Sequence, residues 1–227
     1  MQPFTVTFRF STMPILHGAC TLDAVLGGEI ARGVDDLEEA IRTTPLVRTD
    51  DIFHGSSLIL LDDTGVTGTV PVVQKSRSAF FEIDPIRISR GRRRVDRPWA
   101  KNLLNRYEAR VCEGGTWLGT GRIDEVSELL HSVLGIGKRR QSGWGMIDPE
   151  SLAVEPVEAD PETWGLVSGP DDPDFAADRI VPRRPLPIET FRRLGGDPLD
   201  EVIAVERVRQ PYYDPANPPE PAVLPWT

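Results

Sequence analysis

The N-terminal stretch at residues 4–10, Phe-Thr-Val-Thr-Phe-Arg-Phe, alternates apolar and polar side chains with a period of two. Successive side chains of a β-strand point to opposite faces, so this pattern predicts a strand that is buried on one face. A helix is expected over residues 22–30, where apolar residues recur at helical spacing after the N-capping residue Thr21. Gly27 and Gly28 inside this helix indicate that a close neighbour needs their small size.

Further along the chain, short apolar runs bounded by turn residues predict additional strands. The expected elements are strands at 58–61, 70–73 and 79–88, an amphipathic helix at 123–133 with Gly135 as its C-cap, and a strand at about 144–157. Residues 36–42 are expected to extend the first helix or to form a second short helix. The pair Gly114-Gly115, flanked by residues 105–113 and 116–119, predicts a hairpin. This order predicts an α+β fold with a ferredoxin-like (RRM-like) β-α-β-β-α-β core and inserted hairpins.

The composition changes after residue 157, where proline and acidic residues become frequent. We therefore expect a core over 1–157, with a basic insertion near 87–106, and an acidic, proline-rich C-terminal extension over 158–227 that packs on the core or on a partner. Residues 202–208 are typical of one more strand, whereas the proline-rich end from 211 to 226 is incompatible with a regular helix.

Composition narrows the class of protein. The chain has 227 residues, of which 39% are hydrophobic and 27% charged, so it can bury a core and is not disordered overall. No apolar run approaches the ~20 residues of a membrane span, and residues 1–10 lack the pattern of a signal peptide. Two isolated cysteines, Cys20 and Cys112, match no disulfide or metal pattern. A cytoplasmic location and no membrane partner are expected.

Charge is distributed unevenly along the chain. The net charge is −9, but residues 75–106 hold ten basic residues and only three acidic ones. The densest part of this window runs from Arg87 to Arg97. Such a stretch is expected to neutralise RNA phosphates, and the alternative is an ion-paired surface, for example against the chain's own acidic extension. Trp99 and Tyr107 are candidates for stacking on bases, or are core residues.

The sharpest local motif is Gly-Ile-Gly-Lys-Arg-Arg-Gln-Ser-Gly-Trp-Gly at residues 135–145. Glycines permit close backbone approach, exposed amides form anion-binding concavities, and the three adjacent cations add charge. The alternative is a flexible surface hairpin with solvated charges. A nucleotide-binding P-loop is disfavoured, because Ser132 and Arg139 occupy positions that need glycine and Ser/Thr, and because the loop follows a helix.

A helix, then this glycine and arginine loop, then a strand resembles the glycine-rich loop of RAMP proteins, the RNA-binding subunits of CRISPR antiviral effector complexes. The first strand and the patch Leu-Asp-Ala-Val-Leu at 22–26 are similar too, and together they resemble the type IV subunit that holds the 5′ handle of the guide RNA (crRNA). The resemblance covers separated patches of residues 1–157. It implies a structural subunit that grips the guide and joins the backbone-forming RAMP subunit and the large subunit, with a helicase as a further candidate partner.

The expected RNA-binding residues are glycines and cations of the loop and cations of the insertion. They are Gly135, Gly137, Lys138, Arg139, Arg140, Gly143, Gly145, Arg87, Arg90, Arg92, Arg93, Arg94, Arg97 and Lys101. No catalytic residue, metal or cofactor is expected.

Two other hypotheses stay open on the sequence. One is a metal-independent endoribonuclease that processes repeat RNA, for which His17, His54 and His131 are the available general acid/base histidines. The aspartates Asp23, Asp50 and Asp51 are conceivable Mg²⁺ ligands, although loose acids carry little information in an acidic chain. The other is an unrelated acidic α+β protein whose arginines pair internally.

Overall fold

A computed structural model describes residues 1–16, 18–74, 103–138, 140–168, 179–210, 212 and 217–225. Within these ranges the helices are α1 (Leu22–Ile30), α2 (Leu37–Thr43), α3 (Ile123–Ser132) and α4 (Ile188–Arg193). The strands are β1 (Gln2–Arg9), β2 (Arg48–Thr49), β3 (Ile52–Phe53), β4 (Ile59–Leu61), β5 (Thr67–Gln74), β6 (Leu103–Arg110), β7 (Gly114–Gly121), β8 (Ala153–Pro156), β9 (Val167–Ser168), β10 (Val181–Pro182), β11 (Leu186–Pro187), β12 (Ile203–Glu206) and β13 (Glu220–Val223).

The central sheet has four strands in the order β4-β7-β1-β8, and every neighbouring pair is antiparallel. The predicted first strand is confirmed, and its alternation explains the burial: Phe4, Val6 and Phe8 are fully buried on one face. Helices α1 and α3 contact each other and pack with these residues and Trp117 into one hydrophobic core. Burying each such side chain contributes roughly 1.5–3 kcal/mol.

The predicted hairpin around Gly114-Gly115 is wrong. Both glycines lie inside β7, which pairs with β1 and β4, while β6 pairs with β5. A Cβ atom on Gly114 would collide with the carbonyl oxygen of Phe8 in the neighbouring strand. The glycine pair therefore permits close approach between strands instead of a turn, a requirement that local sequence does not reveal.

Strands β5 and β6 form a separate two-stranded antiparallel hairpin. Strands β5 and β6 pair from Thr67 opposite Arg110 to Gln74 opposite Leu103. The predicted strand at 70–73 is confirmed and extends in both directions, whereas the strand predicted at 79–88 lies outside the described residues. Residues 75–102, which carry most of the basic window, connect the two distal ends of this hairpin.

The strand predicted over 144–157 is shorter than expected. Only Ala153–Pro156 forms β8, because Pro149–Ser151 is a 3-10 turn in which the Asp148 carboxylate accepts a hydrogen bond from the Glu150 amide. Gly135 is not the C-cap of α3, which ends at Ser132; it instead pairs with Met146. Both departures come from the loop that follows α3.

The described residues between 158 and 225 add smaller sheets and a fourth helix. Strands β11, β13 and β12 form an antiparallel sheet, and α4, which the sequence patterns did not predict, packs against β11 and β13. A second hydrophobic cluster contains Leu186, Phe191 and Val223 together with Ile52 of β3. The protein is thus a mixed α+β structure built on antiparallel sheets, and no helix in the described ranges has the length and apolar character needed to span a bilayer.

Candidate nucleic-acid interface

The glycine-rich loop at 135–145 is held against the segment that follows β1. The Lys138 amide donates to the Ile15 carbonyl at 2.8 Å, and the Gly145 amide donates to the Met13 carbonyl at 3.1 Å. At the end of the loop, the Met146 amide donates to the Thr12 hydroxyl at 3.0 Å. These hydrogen bonds fix the loop against residues 12–15 at two places, the Lys138 amide and the end of the loop at residues 145–146.

Gly137 is required by this packing. It has a φ of +82°, and a Cβ atom there would lie 2.5 Å from the carbonyl oxygen of Ile15. Gly143 has a φ of +83°, but nothing lies within 4 Å of the position of its Cβ. Glycine is therefore needed at 137 both for its conformation and for space, and at 143 for its conformation alone.

Several amides of the loop are already used within the chain. Besides those of Lys138 and Gly145, the Ile136 amide donates to the Gly145 carbonyl at 2.9 Å and the Gly143 amide donates to the Arg140 carbonyl at 3.0 Å. The expectation of consecutive free amides facing an anion does not hold for these four groups, because internal carbonyls satisfy them. Anion binding at this loop must depend mainly on its side chains.

The tip of the loop is exposed and cationic. Lys138 and Arg140 are exposed, and no salt bridge joins either side chain to another residue that the structure describes. Trp144 is half-buried, which leaves part of its ring accessible. Arg139 lies outside the described residues. Two cations with no carboxylate partner in that part of the chain can neutralise phosphates without first breaking an ion pair.

The same segment after β1 also holds the base of the long hairpin. The Arg110 amide, at the end of β6, donates to the Pro14 carbonyl at 3.0 Å, next to the Ile15 carbonyl that accepts from Lys138. Arg106 of β6 is exposed, whereas Arg110 pairs with Asp63 at 3.2 Å. The glycine-rich loop and the β5-β6 hairpin, which are distant in sequence, are thus hydrogen-bonded to the adjacent carbonyls of Ile15 and Pro14.

The cations of the basic insertion belong to residues 75–102, between β5 and β6. Arg87, Arg90, Arg92, Arg93, Arg94, Arg97 and Lys101 lie outside the described residues, as does Trp99. Their assignment as RNA-binding residues stays a prediction.

A buried polar cluster, not expected from the sequence, joins α1 to the C-terminal residues. The Asp23 carboxylate accepts hydrogen bonds from Arg184 at 3.1 Å, from Gln210 at 3.0 Å and from the Tyr212 hydroxyl at 2.5 Å. The Arg184 guanidinium also donates to the Phe53 and Gly55 carbonyls. Burial, together with the Asp23 charge, raises the pKa of Tyr212, which therefore stays protonated and donates.

This cluster explains two other features of α1. The Thr21 side chain does not cap the helix and instead shares a hydrogen bond with the Tyr212 hydroxyl at 3.3 Å. Gly27 lies under Gln210, whose side-chain oxygen would be 3.0 Å from a Cβ atom at that position. The sequence signal for this cluster is an aspartate, Asp23, among the apolar residues of a helix. Its hydrogen-bond partners are distant in sequence and could not be predicted.

His54 is a buried, neutral residue. Its Nδ1 lies 3.2 Å from the Pro161 carbonyl and donates to it, because a carbonyl oxygen can only accept. In a neutral imidazole the other nitrogen then carries no proton, so Nε2 accepts a hydrogen bond from the Thr49 hydroxyl at 3.0 Å. Burial lowers the pKa of His54 below its ordinary 6.5, and the nearby Arg184 charge acts in the same direction. The ring borders a cavity of about 510 Å³ that Ile52 and Leu166 also line.

The remaining candidates for chemistry are two histidines and two aspartates. His131 is exposed on α3 and its Nδ1 donates to the Ser127 carbonyl at 2.7 Å, while His17 lies outside the described residues. Asp50 pairs with Arg193 and Asp51 with Arg48. Among the described residues, no group of three or more histidine, cysteine and acidic side chains is arranged to hold a metal ion.

The two cysteines are not activated as nucleophiles. Burial, with a smaller contribution from the Asp23 charge, raises the pKa of Cys20 to about 12, and burial also raises the pKa of Cys112. The nearby Arg140 charge opposes the rise at Cys20 without cancelling it. Both thiols are therefore protonated at neutral pH.

Comparison with known proteins adds no family assignment: no family model matches the chain, and no curated protein is significantly similar to it in sequence.

Proposed function

We propose that this protein binds the 5′ handle of a guide RNA (crRNA) as a structural, non-catalytic subunit of a type IV CRISPR effector complex. Its partners in this proposal are the backbone-forming RAMP subunit, the large subunit and, in some complexes, a helicase. The proposal rests on the resemblance of the glycine-rich loop and first strand to those of RAMP proteins and on the exposed cations at the tip of that loop.

The central sheet supports a ferredoxin-like assignment of the core. Helix α1 follows β1, helix α3 follows β7, and β8 closes the sheet. The sheet order β4-β7-β1-β8 places the third strand of the core between its first and second, as expected for a split β-α-β arrangement. In this proposal β2-β3 and β5-β6 are hairpins inserted between α1 and β7.

The single observation that carries the proposal is the cationic loop tip on a fixed base. Lys138 and Arg140 extend from a loop whose ends are bonded to the Met13 and Ile15 carbonyls. The hairpin that leads to the arginine-rich insertion is bonded to Pro14, between those two anchors. A fixed base reduces the entropy lost when the cations contact phosphates.

Filter binding of labelled crRNA to the purified full-length chain, repeated over a range of salt concentrations, tests the proposal. The triple variant K138A/R139A/R140A should bind less tightly, and its plot of log affinity against log salt should lose a slope of about two to three, roughly one for each phosphate contact removed. The matched control is Arg192→Ala, which removes an exposed arginine paired with Glu189.

If the triple variant binds crRNA as tightly as the wild-type chain, with the same salt dependence, the loop is not part of the RNA interface. Co-purification of the wild-type chain with crRNA and RAMP companions would support the wider assignment. A chain that purifies without nucleic acid and ignores RNA at low salt would favour the alternative of internally paired arginines.

A further inference from the structure

Strand β12 is an edge strand with an unusually apolar surface. It pairs with β13 on one side, and in the sheet order β11-β13-β12 no strand of the described residues pairs with its other side. Val202, Ile203 and Val205 are 63%, 49% and 67% exposed, and the neighbouring Leu199 is also exposed. Proteins usually protect such edges with charges or prolines, so a run of exposed β-branched residues on an open edge is characteristic of an interaction surface.

The pairing register shows which backbone groups face the open side. The Leu224 amide donates to the Val202 carbonyl at 2.9 Å, which identifies these two residues as a hydrogen-bonded pair. Hydrogen-bonded and non-hydrogen-bonded pairs alternate along an antiparallel ladder, so Ile203 and Val205 belong to non-hydrogen-bonded pairs. Their N–H and C=O groups therefore point away from β13. Pro221, which has no N–H, is opposite Val205, as this register allows.

The charge of the residues around β12 limits which kind of strand can pair with its edge. Residues 197–206 include four acidic residues and no basic one. The four are Asp197, Asp200, Glu201 and Glu206. A second copy of this edge would bring the same acidic cluster next to itself, whereas a basic segment would complement it.

We propose that β12 docks an extended segment of a partner protein in which apolar and basic residues alternate. The partner's backbone would pair with the outward groups of Ile203 and Val205. Its apolar side chains would continue the face formed by these two residues, and its basic side chains would lie on the face of Glu206. This proposal does not depend on the proposed RNA interface.

A synthetic peptide of alternating valine and lysine tests the proposal on the full-length chain by fluorescence anisotropy. The matched peptide, with glutamate in place of lysine, should bind much more weakly. In amide hydrogen exchange, the lysine peptide should slow exchange at Ile203 and Val205, whose amides face the open edge. Equal binding of both peptides, or unchanged exchange at these two amides, would overturn the proposal.

Two variants separate backbone pairing from side-chain contact. Val205→Pro removes an outward N–H without removing a hydrogen bond between β12 and β13, whereas Val205→Thr keeps that N–H. The proline variant should bind the lysine peptide about tenfold more weakly than the threonine variant. Equal affinities would contradict strand addition, and a dimer of the wild-type chain that Val205→Pro dissolves would identify a second copy as the occupant instead. The exchange measurement on the wild-type chain decides the question even if the proline variant does not fold.

Discussion

Arg184 donates a hydrogen bond to Asp23 from a position 161 residues further along the chain, and both side chains are almost completely buried. The pair lies between α1 and residues of the C-terminal extension. Gln210 and the Tyr212 hydroxyl bind the other carboxylate oxygen, so one aspartate connects α1 to two separate segments of the C-terminal part of the chain. A buried charge held this way is costly to leave without its partner.

We expect Asp23→Asn to destabilise the fold by about 3–5 kcal/mol, because the Arg184 charge would stay buried without a counter-ion. The free energy of unfolding, measured with urea, tests this. Asp51→Asn is the matched control: it breaks the exposed pair with Arg48, 3.0 Å apart, and should cost no more than about 1 kcal/mol. Similar losses in the two variants would show that the buried pair does not hold the extension on the core.

The stability of the protein should depend on pH through His54. The folded state lowers the pKa of His54 below 6.5, so the unfolded state binds the proton more readily. This contribution to stability is complete above the ordinary pKa and is lost as the pH falls below 6.5. Urea unfolding from about pH 7.5 to about pH 5.5 should show a steeper loss in the wild-type chain than in His54→Gln. Identical pH profiles would mean that His54 is not held in its neutral form.

Gly137 and Gly143 should respond differently to alanine. Both have a positive φ, which costs an alanine about 1–2 kcal/mol. Gly137→Ala should lose more than this, because its Cβ would also press on the Ile15 carbonyl, whereas Gly143→Ala should lose only the conformational cost. Urea unfolding compares the two, and crRNA affinity should fall further in Gly137→Ala because the loop base must move. Equal losses of stability in the two variants would show that the close contact between residue 137 and the Ile15 carbonyl does not help to fix the loop.

The sequence predicts the elements whose signals are local. The alternation in β1 and the helical spacing of α1 and α3 each depend on neighbouring residues, and the structure has these elements where the patterns place them. The Gly114-Gly115 pair was misassigned because its glycines are needed by a strand that is far away in sequence. Helix α4 is only six residues long, too short for a period to be recognised.

The candidate site was predictable in composition and not in geometry. The cations of the loop are visible in the sequence, but main-chain hydrogen bonds to Met13 and Ile15 leave no mark on side-chain identity. For the same reason, the use of the Lys138 and Gly145 amides within the chain could not be foreseen. Asp23 was visible as an acid on an apolar helix, yet nothing near it in sequence points to Arg184.

The attachment of the glycine-rich loop has an evolutionary consequence. In the part of the chain that the structure describes, its base is held mainly by peptide groups, with added side-chain hydrogen bonds between the Ser11 and Thr12 hydroxyls and the main chain of Met146. Peptide groups are common to all residues, so substitutions at the tip are expected to leave the loop in its location and, if the loop binds RNA as proposed, to change only the contacts made by the tip. Under the proposed function, Lys138 and Arg140 are therefore positions where ligand preference can change without redesigning the scaffold, provided that Gly137 and Gly145 are retained.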